Sequence, residues 1–417
     1  MTPTVSSPTS STLVDAANDR PSDDPIFQLN AEAKARAQAG ESIINATLGA
    51  LMEDDGRLAI MPSVATAFGQ VSMAESAGYA PISGSAPFLE AVLDDLYEGT
   101  ALRNCSTAVS TPGGTGALHH ALVNFLDPGQ AMFVPSYFWG PYATLATHTR
   151  RAIETFEMFN ESGRFDCEAF ATGLDALLAR QGRALVVLNF PCNNPTGYSL
   201  DEDEWEQVTA IIEDRATKYP VIPLIDYAYG KFGVRESQIW VRYAERMSKV
   251  TTVLTAWTVS KSFAQYGARV GSLVASNADT EELRKITNAL SFSCRGTWSN
   301  CNHAGQLAIT RLLTNPELRA HVKLEREHLC ELLAARVDAF NTEAAALGLQ
   351  YPRYEGGFFV AVFASDPKAT AKHMREENGV YVVPIQGAVR VALCSTAVAD
   401  IPRLAKALKD GLDATSK

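Results

Sequence analysis

Five short, almost continuous apolar runs constrain this chain most: Ala131–Val134, Ala184–Phe190, Val221–Ile225, Val250–Ala256 and Val270–Ala275. None alternates apolar with polar positions, so each suits a strand buried on both faces, as in a parallel sheet covered by helices. Helical patterns lie between the runs. Ala117, Leu118, Ala121, Leu122, Phe125 and Leu126 make one helical stripe. Ser199 followed by Glu202 has capping-box spacing and opens a helix with Trp205, Val208, Ile211 and Ile212 on its inner face. Such strand–helix alternation predicts an α/β fold with a mostly parallel sheet flanked by helices.

The texture changes after about residue 310. A long, charge-rich helix pattern over Leu318–Phe340 leads to apolar runs at Phe358–Phe363 and Val380–Val383, and a last helix is expected over Ala399–Leu412. These elements predict a smaller α+β domain. The expected division is a disordered tail over 1–24, a segment over 25–60 that packs with the small domain, a large domain over 61–310 and the small domain over 311–417.

Charge removes several classes of function. The 36 Lys+Arg against 47 Asp+Glu leave a net charge of −11, which supplies no basic field for nucleic acid or an anionic membrane surface. No run of about 18 apolar residues exists to span a bilayer. The seven cysteines are scattered, none in a Cys-x-x-Cys pair, so neither a zinc site nor a disulfide framework is expected, and the usage fits a reducing, cytoplasmic setting.

Chemistry concentrates at the ends of the apolar runs. Thr111-Pro-Gly-Gly-Thr-Gly-Ala-Leu118 leads straight into the first helical stripe. It reads either as an anion cup, with glycine N–H groups and a helix N-terminus, or as a plain Gly-rich turn. It is neither a dinucleotide fingerprint nor a Walker loop, since His119 stands where a third glycine would fall and no Gly-Lys-Ser/Thr follows. Asn193-Asn-Pro-Thr-Gly197 is turn-forming, yet it lies just past a strand end, where open α/β sheets bind ligands. Asp226 and Tyr229 follow the next run in the same way, and a carboxylate there needs a partner. Lys261 ends a very apolar stretch, Arg269 lies eight residues on, and Thr258 and Ser260 precede the lysine. Desolvation would free the lysine amine as a nucleophile for a carbonyl; the competing reading is a snorkelling Lys and a surface Arg.

Taken together, Thr-Pro-Gly-Gly-Thr-Gly-Ala-Leu, Asn-Asn-Pro-Thr-Gly, Asp-Tyr-Ala-Tyr-Gly and Ser-Lys-x6-Ala-Arg-Val-Gly, in this order, resemble the fold-type I aminotransferases that use pyridoxal 5′-phosphate (PLP). The likeness is greatest to the aspartate/aromatic group and covers roughly Asp24 to Leu412. It implies that Lys261 holds PLP as a Schiff base and shuttles a proton, and that Asp226 pairs with the pyridinium nitrogen. Tyr229 and Asn194 would bond the phenolic oxygen. Gly113, Gly114, Thr115, Thr258 and Arg269 would hold the phosphate. Tyr137 stands where a tryptophan usually stacks on the ring, with Trp139 nearby as a partial substitute. Tyr79 matches a tyrosine that reaches the phosphate from the neighbouring subunit, which implies a homodimer with shared active sites.

For the substrate, the resemblance implies that Arg390 grips the α-carboxylate, with Asn194 and the loop glycine Gly49 beside it. An edge-strand surface arginine is the alternative for Arg390. Arg295 matches the partner-supplied arginine that reads a side-chain carboxylate in dicarboxylate-using members, against the alternative of an arginine on an exposed helix. Around it Trp298 and Cys301-Asn302 depart from the family pattern. The implied reaction is transamination between an L-amino acid of aspartate or aromatic type and a 2-oxo acid such as 2-oxoglutarate. The runner-up is another PLP reaction on the same fold: β-elimination, decarboxylation or cyclisation.

Overall fold

The computed structural model describes residues 11–21 and 25–416. Of the expected tail, 1–10 and 22–24 lie outside the described residues, and Asp15–Asn18 forms one helical turn with no buried residue. Among the described residues twelve strands follow in chain order: β1 (Ile44–Asn45), β2 (Ser106–Pro112), β3 (Ala131–Pro135), β4 (Ala152–Phe156), β5 (Ala184–Leu188), β6 (Val221–Asp226), β7 (Val253–Thr258), β8 (Val270–Ser276), β9 (Phe359–Phe363), β10 (Val380–Tyr381), β11 (Val383–Ile385) and β12 (Ala388–Ala392). The large sheet has the order β2-β8-β7-β6-β5-β3-β4.

Both faces of this sheet are covered, which explains the continuous apolar runs. Alternate residues of each strand point to opposite cores. Leu185, Val187, Leu224, Leu254 and Ala256 pack with Leu118 and Leu122 of the helix Gly113–Phe125. Val186, Leu188, Ile225, Val253 and Trp257 face the other core, with Trp205, Val208 and Ile212 of the helix Glu202–Ala216.

Three expectations change in detail. The run beginning at Val250 starts later, because Val250 is exposed and β7 opens at Val253. β8 runs antiparallel to both β7 and β2. The intervening segment, residues 259–269, is shorter than the dozen or more residues a parallel crossover requires. The capping box belongs to Asp201 and Glu204, not Ser199 and Glu202. Asp201 offers a carboxylate to the Glu204 N–H, while the Ser199 hydroxyl is occupied by the Cys192 N–H at 3.0 Å.

A three-stranded antiparallel sheet, β11-β12-β9, and the parallel pair β1–β10 form the second layer system. Ile44 and Ala46 share a core there with Phe340, Val360, Val380 and Val391. The helix Pro316–Leu347 serves both cores: Leu318 to Leu333 pack with the large sheet, whereas Val337, Phe340 and Ala344 pack with the small one. The change of core lies inside this helix, well past residue 311.

Candidate active site

The carboxyl ends of the parallel strands β5, β6 and β7 open on a cavity of about 220 Å³. Lys261, Asp226, Asn194 and Tyr229 line it, together with Gly114, Thr115, Thr258, Ser260 and Arg269. Asp226 is the last residue of β6 and is buried. Burial pushes its carboxyl above the usual range, against a hydrogen bond from Tyr142, the Lys261 charge and the Ala228 N–H. Lys261 sits on the single turn Val259–Ser262 after β7, and its Nζ lies 5.2 Å over the Tyr229 ring. It is exposed only in part, on the cavity side, and burial pushes its amine below the ordinary lysine value; Asp226 opposes this shift and Arg269 adds to it. Such an amine is available as a nucleophile.

The Asn193–Gly197 turn is tied to the end of β6. Asn189 Oδ1 accepts the Asn194 N–H at 2.8 Å, and Asn189 Nδ2 donates to the Asp226 carbonyl at 2.8 Å. Asn194 Nδ2 donates in turn to the Tyr229 hydroxyl at 3.3 Å, and burial pushes that phenol well above its ordinary value. Gly197 adopts φ +74°, and a side chain there would collide with the Phe359 carbonyl and the Tyr354 ring.

Groups suited to an anion line the other end. The helix Gly113–Phe125 starts with no side-chain cap, so its first N–H groups are left for a ligand. Thr258 and Ser260 stand opposite, and Arg269 Nη1 donates to Ser260 Oγ at 3.1 Å and to the Tyr266 carbonyl at 2.9 Å. The guanidinium packs so closely on Gly113 that a Cβ there would meet it.

Arg390 does not lie at a sheet edge. It sits in β12, the central strand of the small sheet, and is buried. Its Nη2 donates to the Thr47 carbonyl at 2.7 Å, its Nη1 lies 3.5 Å from Asn194 Oδ1, and its Cζ lies 4.4 Å from the Phe359 ring centroid. Gly49 backs the same ring, where a Cβ would come within 2.5 Å of it. Asn194 thereby joins Arg390 to Tyr229.

Three residues named from the sequence stand elsewhere. The Tyr137 ring packs against Phe159 and Phe363 rather than on the cavity wall, and Trp139 takes the wall position. Tyr79 is 92% exposed, and Arg295 is exposed with its Nη1 on its own Ser299 Oγ at 2.9 Å. Neither lines this chain's cavity. Conversely, sequence reasoning missed Asn189 and Tyr142. Asn189 carried a faint signal as the polar break in an apolar strand run; Tyr142 carried none. Among the described residues no cluster of metal-ligating side chains forms.

The donor set fits PLP: an uncapped helix N-terminus and Arg269 for a phosphate, a desolvated lysine for an aldehyde, Asp226 for a ring nitrogen, and Asn194 with Tyr229 for a phenolic oxygen. Comparison with known proteins agrees. The family model for aminotransferase class I and II matches residues 42–408. The aromatic-amino-acid aminotransferase of Paracoccus denitrificans is 30% identical over 400 residues, covering 92% of this chain and 96% of that protein. An aspartate aminotransferase of Pseudomonas aeruginosa is 26% identical, covering 86% and 90%. The crystal structure of an aminotransferase from Anaerococcus prevotii superposes with a TM-score of 0.91 at 29% identity, over 97% of this chain and all of that one. A Lys261–Asp226 cavity at the strand ends and a family match over most of the chain lead to one conclusion: this protein belongs to the class I and II aminotransferases and is a PLP-dependent enzyme of transamination.

Proposed function

We propose that the amino donor is an L-amino acid of aspartate or aromatic type, with a 2-oxo acid such as 2-oxoglutarate as acceptor. The observation that carries this reading is Arg390, a buried guanidinium that meets the cofactor-side residue Asn194 and is planar enough to clasp an α-carboxylate with two parallel hydrogen bonds. PLP, when bound, supplies an electron sink for charge developing at the substrate Cα. Lys261 would hold the cofactor covalently until the substrate amine displaces it, and the freed Nζ would then take and carry the proton from the substrate Cα. Asp226 receives the ring nitrogen, and Asn194 and Tyr229 receive the phenolic oxygen. Gly113, Gly114, Thr115, Thr258 and Arg269 hold the phosphate, and Gly49 leaves room above Phe359 at the substrate side. Trp139 would wall the ring, while Tyr137 packs on Phe159 and Phe363.

A homodimer completes the site in this reading. Tyr79 and Arg295 share one surface: Gly78 and Ile82 accept hydrogen bonds from His303 and Cys301, which follow Arg295 closely in the chain. Phe292, one turn before Arg295, is 81% exposed, as expected of a face that another subunit covers. The seven free cysteines support a reducing, cytoplasmic setting.

Arg295→Ala tests the substrate class. With aspartate, kcat/KM should fall roughly 30- to 1000-fold, while phenylalanine and tyrosine change by no more than about threefold. Equal losses on all three would reject Arg295 as a reader of side-chain carboxylates. Mixing the Lys261→Ala and Arg295→Ala subunits should restore aspartate activity, since one hybrid site then holds both residues. No restoration would place Arg295 outside the partner's site.

A further inference from the structure

We propose that Tyr142 is a positioning residue for this reaction: its hydroxyl fixes Asp226 Oδ2, leaving the second carboxylate oxygen for the ring nitrogen of PLP, and its ring fixes Trp139 on the cavity wall. The inference rests on the role of Asp226 proposed above.

Tyr142 is the second residue of the helix Pro141–His148, whose first residue, a proline, is preset for the helical turn. Its side chain is fully buried, and its hydroxyl lies 2.6 Å from Asp226 Oδ2. The phenol is the donor in this pair. Burial and the Asp226 charge push its own ionisation well above the ordinary tyrosine value, so the proton stays on the phenol and the negative charge on the carboxylate.

Other support for that charge is thin. Asn189 bonds the Asp226 carbonyl, not its carboxylate. Lys261 favours the carboxylate while it carries an ammonium, but covalent attachment of the cofactor takes up that amine. The Ala228 N–H and the Tyr142 hydroxyl then remain to oppose burial, which pushes the Asp226 carboxyl upward. A protonated Asp226 loses the negative charge that keeps a pyridine nitrogen protonated. The same tyrosine stands edge-on to Trp139, with centroids 5.5 Å apart at 88°, and stacks at 6.3 Å on Phe138. One side chain thus sets both the wall and the nitrogen partner of the cofactor.

Tyr142→Phe removes the hydroxyl and keeps the ring. Two readouts other than turnover apply: the affinity of apoenzyme for PLP, and the 15N resonance of ring-labelled PLP followed across pH 6 to 9. In the wild type the ring nitrogen should stay protonated throughout. In Tyr142→Phe it should titrate within that range, and PLP should bind about tenfold more weakly. Asp226→Asn is the control for the underlying reading. If Asp226→Asn leaves the nitrogen signal unchanged, the role of Asp226 fails, and this inference fails with it. If Asp226→Asn moves the signal and Tyr142→Phe does not, the Tyr142 proposal alone is overturned, even where PLP affinity falls, because packing by itself would not move a nitrogen titration.

Discussion

Replacing Arg390 by glutamine should separate recognition of the substrate carboxylate from everything else the site does. Glutamine keeps a donor near the Thr47 carbonyl but loses the charge and the two-pronged face. In the structure Nη2 is held by Thr47 at 2.7 Å, and the guanidinium is stacked 4.4 Å from the Phe359 ring centroid. The fork is therefore held by protein contacts before substrate arrives, and little ordering cost remains on binding. Loss of a buried, charge-assisted carboxylate pair costs about 2–4 kcal/mol, roughly a 30- to 1000-fold drop in kcat/KM. Arg390→Lys restores a charge without the planar fork or the stacking and should recover only part of the loss. The assay is the single-turnover half-reaction of the PLP-loaded enzyme, run with an L-amino acid and with the corresponding amine that lacks the α-carboxylate. Wild type should strongly prefer the acid, and Arg390→Gln should lose most of that preference while binding PLP as before. Should the variant discriminate acid from amine as well as wild type does, the assignment of Arg390 is refuted.

Two further outcomes are expected. Lys261→Ala should lower the half-reaction rate by about 10⁴-fold or more, since it removes both the covalent anchor and the proton carrier, while PLP remains bound through Arg269 and the helix N-terminus; borohydride should then leave no PLP mass on the protein, and undiminished turnover would reject the role. His120 lies in the helix Gly113–Phe125 with Nε2 3.0 Å from Thr297 Oγ1, and burial, with His119 adding, pushes its imidazole down to about 4. The unfolded chain binds that proton near pH 6.5 and the native chain does not, so this term destabilises the fold as pH falls from about 6.5 to 4, by an amount on the order of 3 kcal/mol. Denaturant melts of wild type and His120→Gln at both ends of that range should differ in slope; identical slopes would refute the assignment.

Some features were legible because they are local. Burial on both faces of a strand needs only consecutive apolar residues, so β3, β5 and β6 stand where their runs lie. Lys261, Asp226, Asn194 and the Gly113–Thr115 turn each sit at or beside a strand end, and a parallel sheet brings such ends to one rim whatever the detailed packing. The helix cap was misplaced for an equally local reason: two acceptors, Ser199 and Asp201, stand two residues apart, and only contacts from elsewhere choose between them. Tyr137 and Trp139 pose the same problem, since the turn before the helix Pro141–His148 decides which aromatic faces the cavity.

By itself, then, the amino-acid order placed the buried strands and set Lys261, Asp226 and Asn194 beside their ends, because each depends on neighbours within one turn or strand, while the cofactor followed from the family resemblance of those segments. Tertiary structure alone decided three things. It set Arg390 in a central strand, since β11 folds back on one side of β12 and β9, from some thirty residues earlier, pairs on the other. It tied Asn194 to Arg390 across the two cores. It also brought the Tyr142 hydroxyl to Asp226, 84 residues away, a contact that depends on how one short helix seats against the end of β6. A hydrogen bond tolerates only tenths of an ångström, and that tolerance is set by the packing of whole elements rather than by any spacing along the chain.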